Sequence, residues 1–471
     1  MTVEPERPLS LDAPREEALE HAVKLVVEAW RSFDRFRPEE PPLDERVRAL
    51  LRSELPEQAV PVHEALDDTA RILDESIAQP RPRYFAFIGS SGLEIGTIAD
   101  LLAHTYDINL AVDARAATEI ERQAVRWVGE FLGFPAGVGA FTSGGTISNM
   151  TALAAARERA VPGSRAEGLS GRRVAAYCST EVHYSITRAV EILGIGSENL
   201  RAIPIDGDRR MRPDALAEAI DRDIDEGITP VAVIATAGTT LTGAVDPLGL
   251  IADVCQPRGV WLHVDGAYGL PAASVPERKH LFEGLDRTDS CSVDAHKWLY
   301  VPKACSVVLV KDPDALEGAF AHEQGYLPHQ QHELHAVDIT LEYSRPFRAL
   351  KLWLAFRAHG AQAFRAAIER NLREADLLHM VLRGQDDFET LGAPQLSIVP
   401  FRHAPVGVED LDAHNDRLAK ALLADGRVYV ASALIDGRVY LRPCFVNFRT
   451  TEDDVLALVD VAREVGEALL L

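Results

Sequence analysis

The chain has 471 residues, 47% hydrophobic and 26% charged, which suits a globular protein of two or three subdomains and excludes a disordered or fibrous chain. Lys and Arg number 49 against 72 Asp and Glu, a formal charge of −23 that argues against nucleic acid and anionic membrane as partners. Five scattered cysteines, Cys178, Cys255, Cys291, Cys305 and Cys444, form no C-x-x-C pair, so neither a disulfide framework nor a zinc site is expected, and a reducing cytoplasm is.

The opening stretch MTVEPERPLSLDAPREEALE is polar and acidic, unlike a signal peptide. No apolar run approaches the ~20 residues that cross a bilayer. EEALEHAVKLVVEAWRSF and LDERVRALLRSEL space their apolar residues as helices do, between proline-rich stretches. Residues 1–80 are therefore expected to form a helical arm, of the kind that packs on a second subunit.

A different rhythm follows. VAAYCS (174–179), LRAIPID, PVAVIATAG, VWLHVDGA, DSCSVDA and CSVVLVKD read as buried strands, with helices at SITRAVEIL, PDALAEAIDRDIDEG and DPLGLIADVCQPRG between the earlier ones. Alternating strands and helices predict an α/β domain over 81–345, a mostly parallel sheet with helices on both faces. From 346 to 471 the pattern becomes a smaller α+β domain. FRALKLWLAFRAHG and AQAFRAAIERNLREADLLHMVL read as helices, PQLSIVPF, VYVASALI and VYLRPCFV as strands, and TEDDVLALVDVAREVGEALL as a last helix.

Open parallel sheets bind ligands at the carboxyl ends of their strands, and several polar residues fall there. TSGGTISN sets small residues, Gly145 and Thr146 among them, at the start of a helix, where backbone N–H groups can meet an anion. It is neither a P-loop nor G-x-G-x-x-G, and a simple helix-capping turn also explains it. WLHVDGAYG ends a buried strand on Asp265, an acid that needs either a cationic partner or a capping role in the next turn. His183, just past VAAYCS, offers a flat ring for stacking or a backbone contact at a helix start. Thr239 and Thr240 follow PVAVIATAG as hydroxyl groups or turn formers. SVDAHKWLYVPK supplies two lysines, Lys297 and Lys303. An anion cradle, an acid, a flat histidine, hydroxyls and an amine at successive strand ends together suit pyridoxal 5′-phosphate.

The segments TSGGTISN, STEVHYSITRA, ATAGTTLTGAVDPL, WLHVDGAYG, SVDAHKWLYVPKACSVVLV and RPFRALKLWLAFRAHG occur in that order, and RPCFVNFRTTEDDV extends them towards the C-terminus. In these the chain resembles the pyridoxal-phosphate-dependent group II decarboxylases, the family of aromatic-L-amino-acid and glutamate decarboxylases. The resemblance implies a fold-type-I transferase-like fold, with a mostly parallel seven-stranded sheet, and a homodimer with active sites at the interface. It maps Lys297 to the lysine that binds the cofactor's aldehyde and leaves Lys303 without a catalytic counterpart. It maps His296, Gly145 and Thr146 to phosphate contacts, and Asp265 to the partner of the pyridine nitrogen. Ala267 falls near the ring, His183 on the stacking position and Thr240 near the 3′-oxygen side. In GAFAHEQGYLPHQQHELHAVD it maps Tyr326 to a loop tyrosine that protonates the substrate carbon.

In this family, Phe in place of that tyrosine, or Asn in place of the stacking histidine, goes with aldehyde formation. With Tyr326 and His183 both present, the resemblance implies decarboxylation to an amine. PRYFAFIGSSG matches the segment lining the side-chain pocket, so Tyr84, Phe85 and Phe87, with Ile88, are expected to receive an aromatic amino acid, the first choice of substrate; packing at a dimer interface explains them equally. Asn109 and Asp113 replace aromatic residues of aromatic-specific relatives and keep acidic and other polar substrates open. Arg442, in LRPCF, can meet a carboxylate, although a structural salt bridge is the simpler expectation. An aldehyde synthase, a carbon–carbon lyase, a transaminase or a non-catalytic sensor on the same fold are the remaining alternatives. No metal, membrane or nucleic-acid partner is expected.

Overall fold

A computed structural model describes residue 11 and residues 14–34, 43–322 and 335–471. Seven strands build the main sheet: β1 (Val138–Thr142), β2 (Val174–Ser179), β3 (Leu200–Ile203), β4 (Thr229–Thr236), β5 (Trp261–Asp265), β6 (Ser290–Val293) and β7 (Ser306–Val310). Their order is β1-β7-β6-β5-β4-β2-β3. Strands β2 to β6 pair in parallel, and β7 runs antiparallel to both β6 and β1.

Strands β2 (VAAYCS), β5 (WLHVD), β6 (SCSV) and β7 (SVVLV), apolar but for small polar residues and the His and Asp of β5, are buried along their whole length. Only helices on both faces can bury such strands. On one face lies the alanine-rich helix Gly145–Ala160, packed with residues such as Ile234, Trp261 and Val308. The other face carries helices Ala116–Leu132, Pro213–Asp225, Leu248–Arg258 and the first part of Ala349–Arg383. This is the mostly parallel seven-stranded α/β sheet of fold type I.

Strand β1 lies outside the alternation read from the sequence. Its backbone approaches β7 so closely that a side chain on Gly139 would meet the Val308 carbonyl at 2.6 Å, and one on Gly137 the Lys311 carbonyl at 2.1 Å. Glycine is required there, and glycine weakens the strand signal.

The second sheet is antiparallel, order β10-β11-β9-β8, from β8 (Phe388–Thr390), β9 (Phe401–His403), β10 (Ser432–Ile435) and β11 (Arg438–Leu441). It shares a core with helices Leu411–Asp425 and Glu452–Ala468. Gly360, at φ 74°, splits Ala349–Arg383 at the boundary between the two helical runs of the sequence. PQLSIVPF is not the strand expected: Ile398 makes one isolated bridge to Cys444, and only Phe401 joins β9. Pro400 lacks the N–H a ladder needs. In VYVASALI the ladder begins at Ser432, and Tyr429 before it makes an isolated parallel bridge to Tyr84.

Near the N-terminus, helices Arg15–Phe33 and Val62–Asp74 pack on each other, and neither buries a residue fully in the single chain. Among the described residues no helix is long and apolar enough to cross a membrane.

Candidate active site

A cavity of about 250 Å3 opens at the carboxyl ends of β1, β4, β5 and β6. Four of the sequence's candidates arrive there because each follows a buried strand. Asp265 is the last residue of β5, His183 follows β2, Gly145 begins the helix after β1, and Lys297 lies in the turn after β6. Thr146, Thr240, Ala267 and His296 line the same cavity.

Lys297 Nζ lies 2.8 Å from Asp294 Oδ2. Burial disfavours the ammonium, but the Asp294 carboxylate, helped by Asp265, outweighs it and raises the lysine pKa above its ordinary value. Asp294 is buried too, yet Lys297 and His296 hold its pKa below the usual carboxylate range. His296 donates from Nδ1 to the Cys305 carbonyl (2.8 Å) and keeps Nε2 3.8 Å from Asp294. Burial lowers its pKa, with Asp294 opposing. Lys303 is elsewhere, its amine donating to Gln79 Oε1 at 2.6 Å. Of the two lysines, only Lys297 reaches the cavity.

Asp265 accepts from the Ala267 N–H (3.1 Å) on one oxygen and from Asn149 Nδ2 (2.9 Å) on the other. His183 caps the helix Tyr184–Ile192, its Nδ1 accepting from the Ser185 N–H at 3.3 Å. Both positions therefore combine the local capping role with a place on the cavity wall. Burial pulls the His183 pKa below the usual imidazole value, with Asp265 opposing.

Glycine at 145 keeps the helix start clear: a side chain there would meet Ala267 Cβ at 3.0 Å and Asp294 Oδ2 at 3.1 Å. In the cavity wall, Thr236 Oγ1 and Asp294 Oδ1 are buried without a hydrogen-bond partner. Unsatisfied buried polar atoms mark a site built for a polar ligand. An amine, an acceptor-only carboxylate and a helix N-terminus around one such cavity fit pyridoxal phosphate.

The expected substrate-pocket residues do not gather there. Tyr84 stacks on Tyr429, and Phe85 packs on Phe445 in the core of the smaller sheet; neither lines this chain's cavity. The chain turns sharply at Phe87 (φ 57°), which is 64% exposed, and it is Ile88 that reaches the wall. Asn109 bonds to the backbone of Ala111 and Arg345, and Asp113 to that of Arg115, so their departure from the relatives' pattern serves turns rather than the cavity. Arg442 is not the salt bridge expected of it. Its buried guanidinium donates to the Thr240 carbonyl (2.9 Å) and has no carboxylate partner among the described residues. Tyr326 lies outside the described residues.

Sequence reasoning missed Asp294 and Asn149. Asp294 sits inside the quoted SVDAHKW, where it reads as a strand flank. Asn149 has a usable signal, a polar residue four positions after Gly145 and hence on the same helix face, in an otherwise alanine-rich run.

Fold and cavity together define a pyridoxal-phosphate enzyme of fold type I. Residues 44–404 match the pyridoxal-dependent decarboxylase conserved domain. The chain is 31% identical to the aromatic-L-amino-acid decarboxylase of Bacillus atrophaeus, over 95% of this chain and 94% of that one. It is 30% identical to a phenylacetaldehyde synthase of a Rosa hybrid cultivar, over 83% and 81%. The crystal structure of Oryza sativa TDC with PLP and tryptamine superposes with a TM-score of 0.92 at 27% identity, covering 99% of this chain and 100% of that one. The chain belongs to the pyridoxal-dependent decarboxylase family and is a pyridoxal-phosphate-dependent carboxy-lyase acting on an amino acid.

Proposed function

We propose that the chain decarboxylates an aromatic L-amino acid to its amine, as a homodimer whose helical arm (residues 1–80), large domain (81–345) and small domain (346–471) assemble two active sites. The observation that carries this reading is the convergence of Lys297, Asp265 and His183 on one cavity walled in part by Ile88. Arg442 beside it is free to pair with the substrate carboxylate. A second carboxylate, as on an acidic substrate, would find no further unpaired guanidinium or ammonium lining the cavity among the described residues. The relatives named for aromatic substrates support the same choice.

The bound cofactor supplies an aldehyde for amines and a protonated ring that withdraws electrons from the substrate's Cα. Lys297 would hold the aldehyde, and Gly145, Thr146 and His296 the phosphate. Asp265, an acceptor on both oxygens, would pair with the protonated ring nitrogen. Ala267 and Thr240 would lie beside the ring, and His183 would offer its flat imidazole for stacking. Lys297 must shed a proton before it acts as a nucleophile, and Asp294 is the adjacent group to share it. Tyr326 delivers the proton to Cα.

The test is to incubate the protein with pyridoxal phosphate and a panel of L-amino acids in air and to identify products by mass. Amine and carbon dioxide from aromatic substrates are expected. Aldehyde, ammonia and peroxide would mean that His183 and Tyr326 do not enforce protonation. Turnover confined to acidic substrates would overturn the aromatic reading.

A further inference from the structure

We propose that Asn149 and His263 are positioning residues for the reaction: a buried chain of hydrogen bonds from Trp261 to Asp265 fixes that carboxylate as an acceptor and so keeps the proton on the cofactor's ring nitrogen. The proposal rests on the reading of Asp265 as the partner of that nitrogen.

With the Asp265 carboxylate accepting from Asn149, one set of directions satisfies every link. Trp261 Nε1 is donor-only and lies 2.8 Å from Ser290 Oγ, so the serine oxygen accepts. Its own hydrogen is then available to His263 Nδ1, 2.8 Å away. With Nδ1 accepting, the neutral ring carries its hydrogen on Nε2, which faces Asn149 Oδ1 at 3.0 Å. Ser292 Oγ donates to the same oxygen at 2.6 Å. That atom is the amide oxygen, because the NH2 group is the one that donates to Asp265 Oδ2 at 2.9 Å. The Ala267 N–H occupies the other oxygen. A proton on either oxygen of Asp265 would confront an existing donor. With one donor on each oxygen, the carboxylate turns its remaining lone pairs to a ring N–H.

The chain is wholly enclosed. Asn149, His263, Ser290 and Ser292 are each 0% exposed. Burial pushes the His263 pKa down to about 3, so the ring stays neutral and the chain keeps its direction across the working pH range. Asn149 also points its NH2 group towards Ser185 Oγ, at the long distance of 3.5 Å, and Ser185 holds His183 Nδ1. One amide thus stands between the two residues assigned to the ring. Among the alanines of its helix, an apolar residue at 149 would bury at less cost than an amide needing this many partners. What the amide provides is an oriented donor on Asp265.

The test uses holoenzyme reconstituted with cofactor labelled with 15N at the ring nitrogen. In wild type the 15N shift should report a protonated ring. Asn149→Leu and His263→Leu should move it towards the unprotonated value and lower kcat about 10-fold, the factor that one pKa unit represents, with KM little changed. His263→Gln, whose amide can replace the Nε2–H, should restore both. Where the leucine variants fail to fold, Ser292→Ala removes a single hydroxyl and should give a smaller shift in the same direction. A protonated ring with wild-type kcat in these variants would overturn the proposal and leave the chain a packing device. Asp265→Asn separates the two readings: if it too leaves the ring protonated, the assignment of Asp265 fails, whereas a shift there and none in the other variants sinks only the relay.

Discussion

Lys297 and Asp294 sit 2.8 Å apart in a cavity that holds Asp265 as well, so the lysine's charge state is set by its acidic neighbours. Lys303, six residues on, turns its amine to Gln79 instead. The contrast gives a direct test. Lys297→Ala should cut turnover about 10^3-fold or more, as loss of a covalent group does, and should abolish borohydride fixation of the cofactor to the chain. Lys303→Ala should keep kcat within about 2-fold, the scale of a change that loses no transition-state contact. Equal losses in the two variants would sink the assignment. Asp294 adds a prediction with a sign. Because its carboxylate raises the Lys297 pKa, Asp294→Asn should lower it, and more free amine should then exist at neutral pH. The pH profile for cofactor capture by the apoprotein, followed by absorbance, should move to lower pH. A profile that stays in place or moves upward would show that Asp294 does not govern the amine.

At the scale of elements, the second half of the helix Ala349–Arg383 connects the site's turn to the smaller sheet. Trp298 Nε1 and the Tyr300 hydroxyl both donate to Asn371 Oδ1, and Asn371 Nδ2 donates to Glu374 Oε2 at 2.8 Å. Arg370 lies 3.4 Å from Glu374 but is 42% exposed, and burial of the acid prevails, pushing its pKa from the ordinary 4.5 to about 8. A carboxyl with a raised folded pKa gives its full stabilisation below the unfolded value and loses it as pH climbs through the folded one. Wild type should therefore lose stability between about pH 4.5 and 8, at up to about 1.4 kcal/mol per unit. Glu374→Gln should flatten that slope in thermal melts and be the more stable protein above pH 8. Parallel curves for the two proteins would refute the argument.

What the sequence could show at this scale follows from the same physics. Buried parallel strands read as apolar runs with polar residues at their carboxyl ends, so Asp265, His183, Gly145 and Lys297 were legible as a group. His263, and the partners of Asn149, were not, because their importance lies in bonds to residues as far as 143 positions away, as in the Ser292–Asn149 bond, while Asp294, three residues before Lys297, read as a strand flank. Tyr84 and Phe85 were misplaced for the complementary reason. An aromatic run advertises burial without saying in which core, and here the smaller sheet's core takes Phe85 while Tyr84 stacks on Tyr429. Strand β1 escaped because its contacts with β7 demand glycine.

At the scale of the molecule, the single chain leaves apolar surface that folding alone does not explain. Leu19, Val23 and Val26 on the first arm helix are exposed, as are Ile98, Leu101, Leu102 and Tyr106 on helix Glu94–Tyr106. Phe87, whose neighbour Ile88 enters the cavity, is exposed in the same way. Apolar groups repeated along a helix face, next to an active site, are the mark of a permanent subunit contact. A second copy of the chain is the proposed cover, and the cavity would then be completed only in the dimer. Sedimentation should give twice the chain mass at micromolar concentration. Leu101→Glu combined with Leu102→Glu would bury two unpaired carboxylates per protomer in that contact, each costing several kcal/mol. The variant should sediment as a monomer, with its circular dichroism intact and turnover lost together with cofactor retention. A variant that stays dimeric would place the interface elsewhere. A folded monomer with wild-type turnover would show that one chain is catalytically complete, and the exposed face of Glu94–Tyr106 would then need another partner.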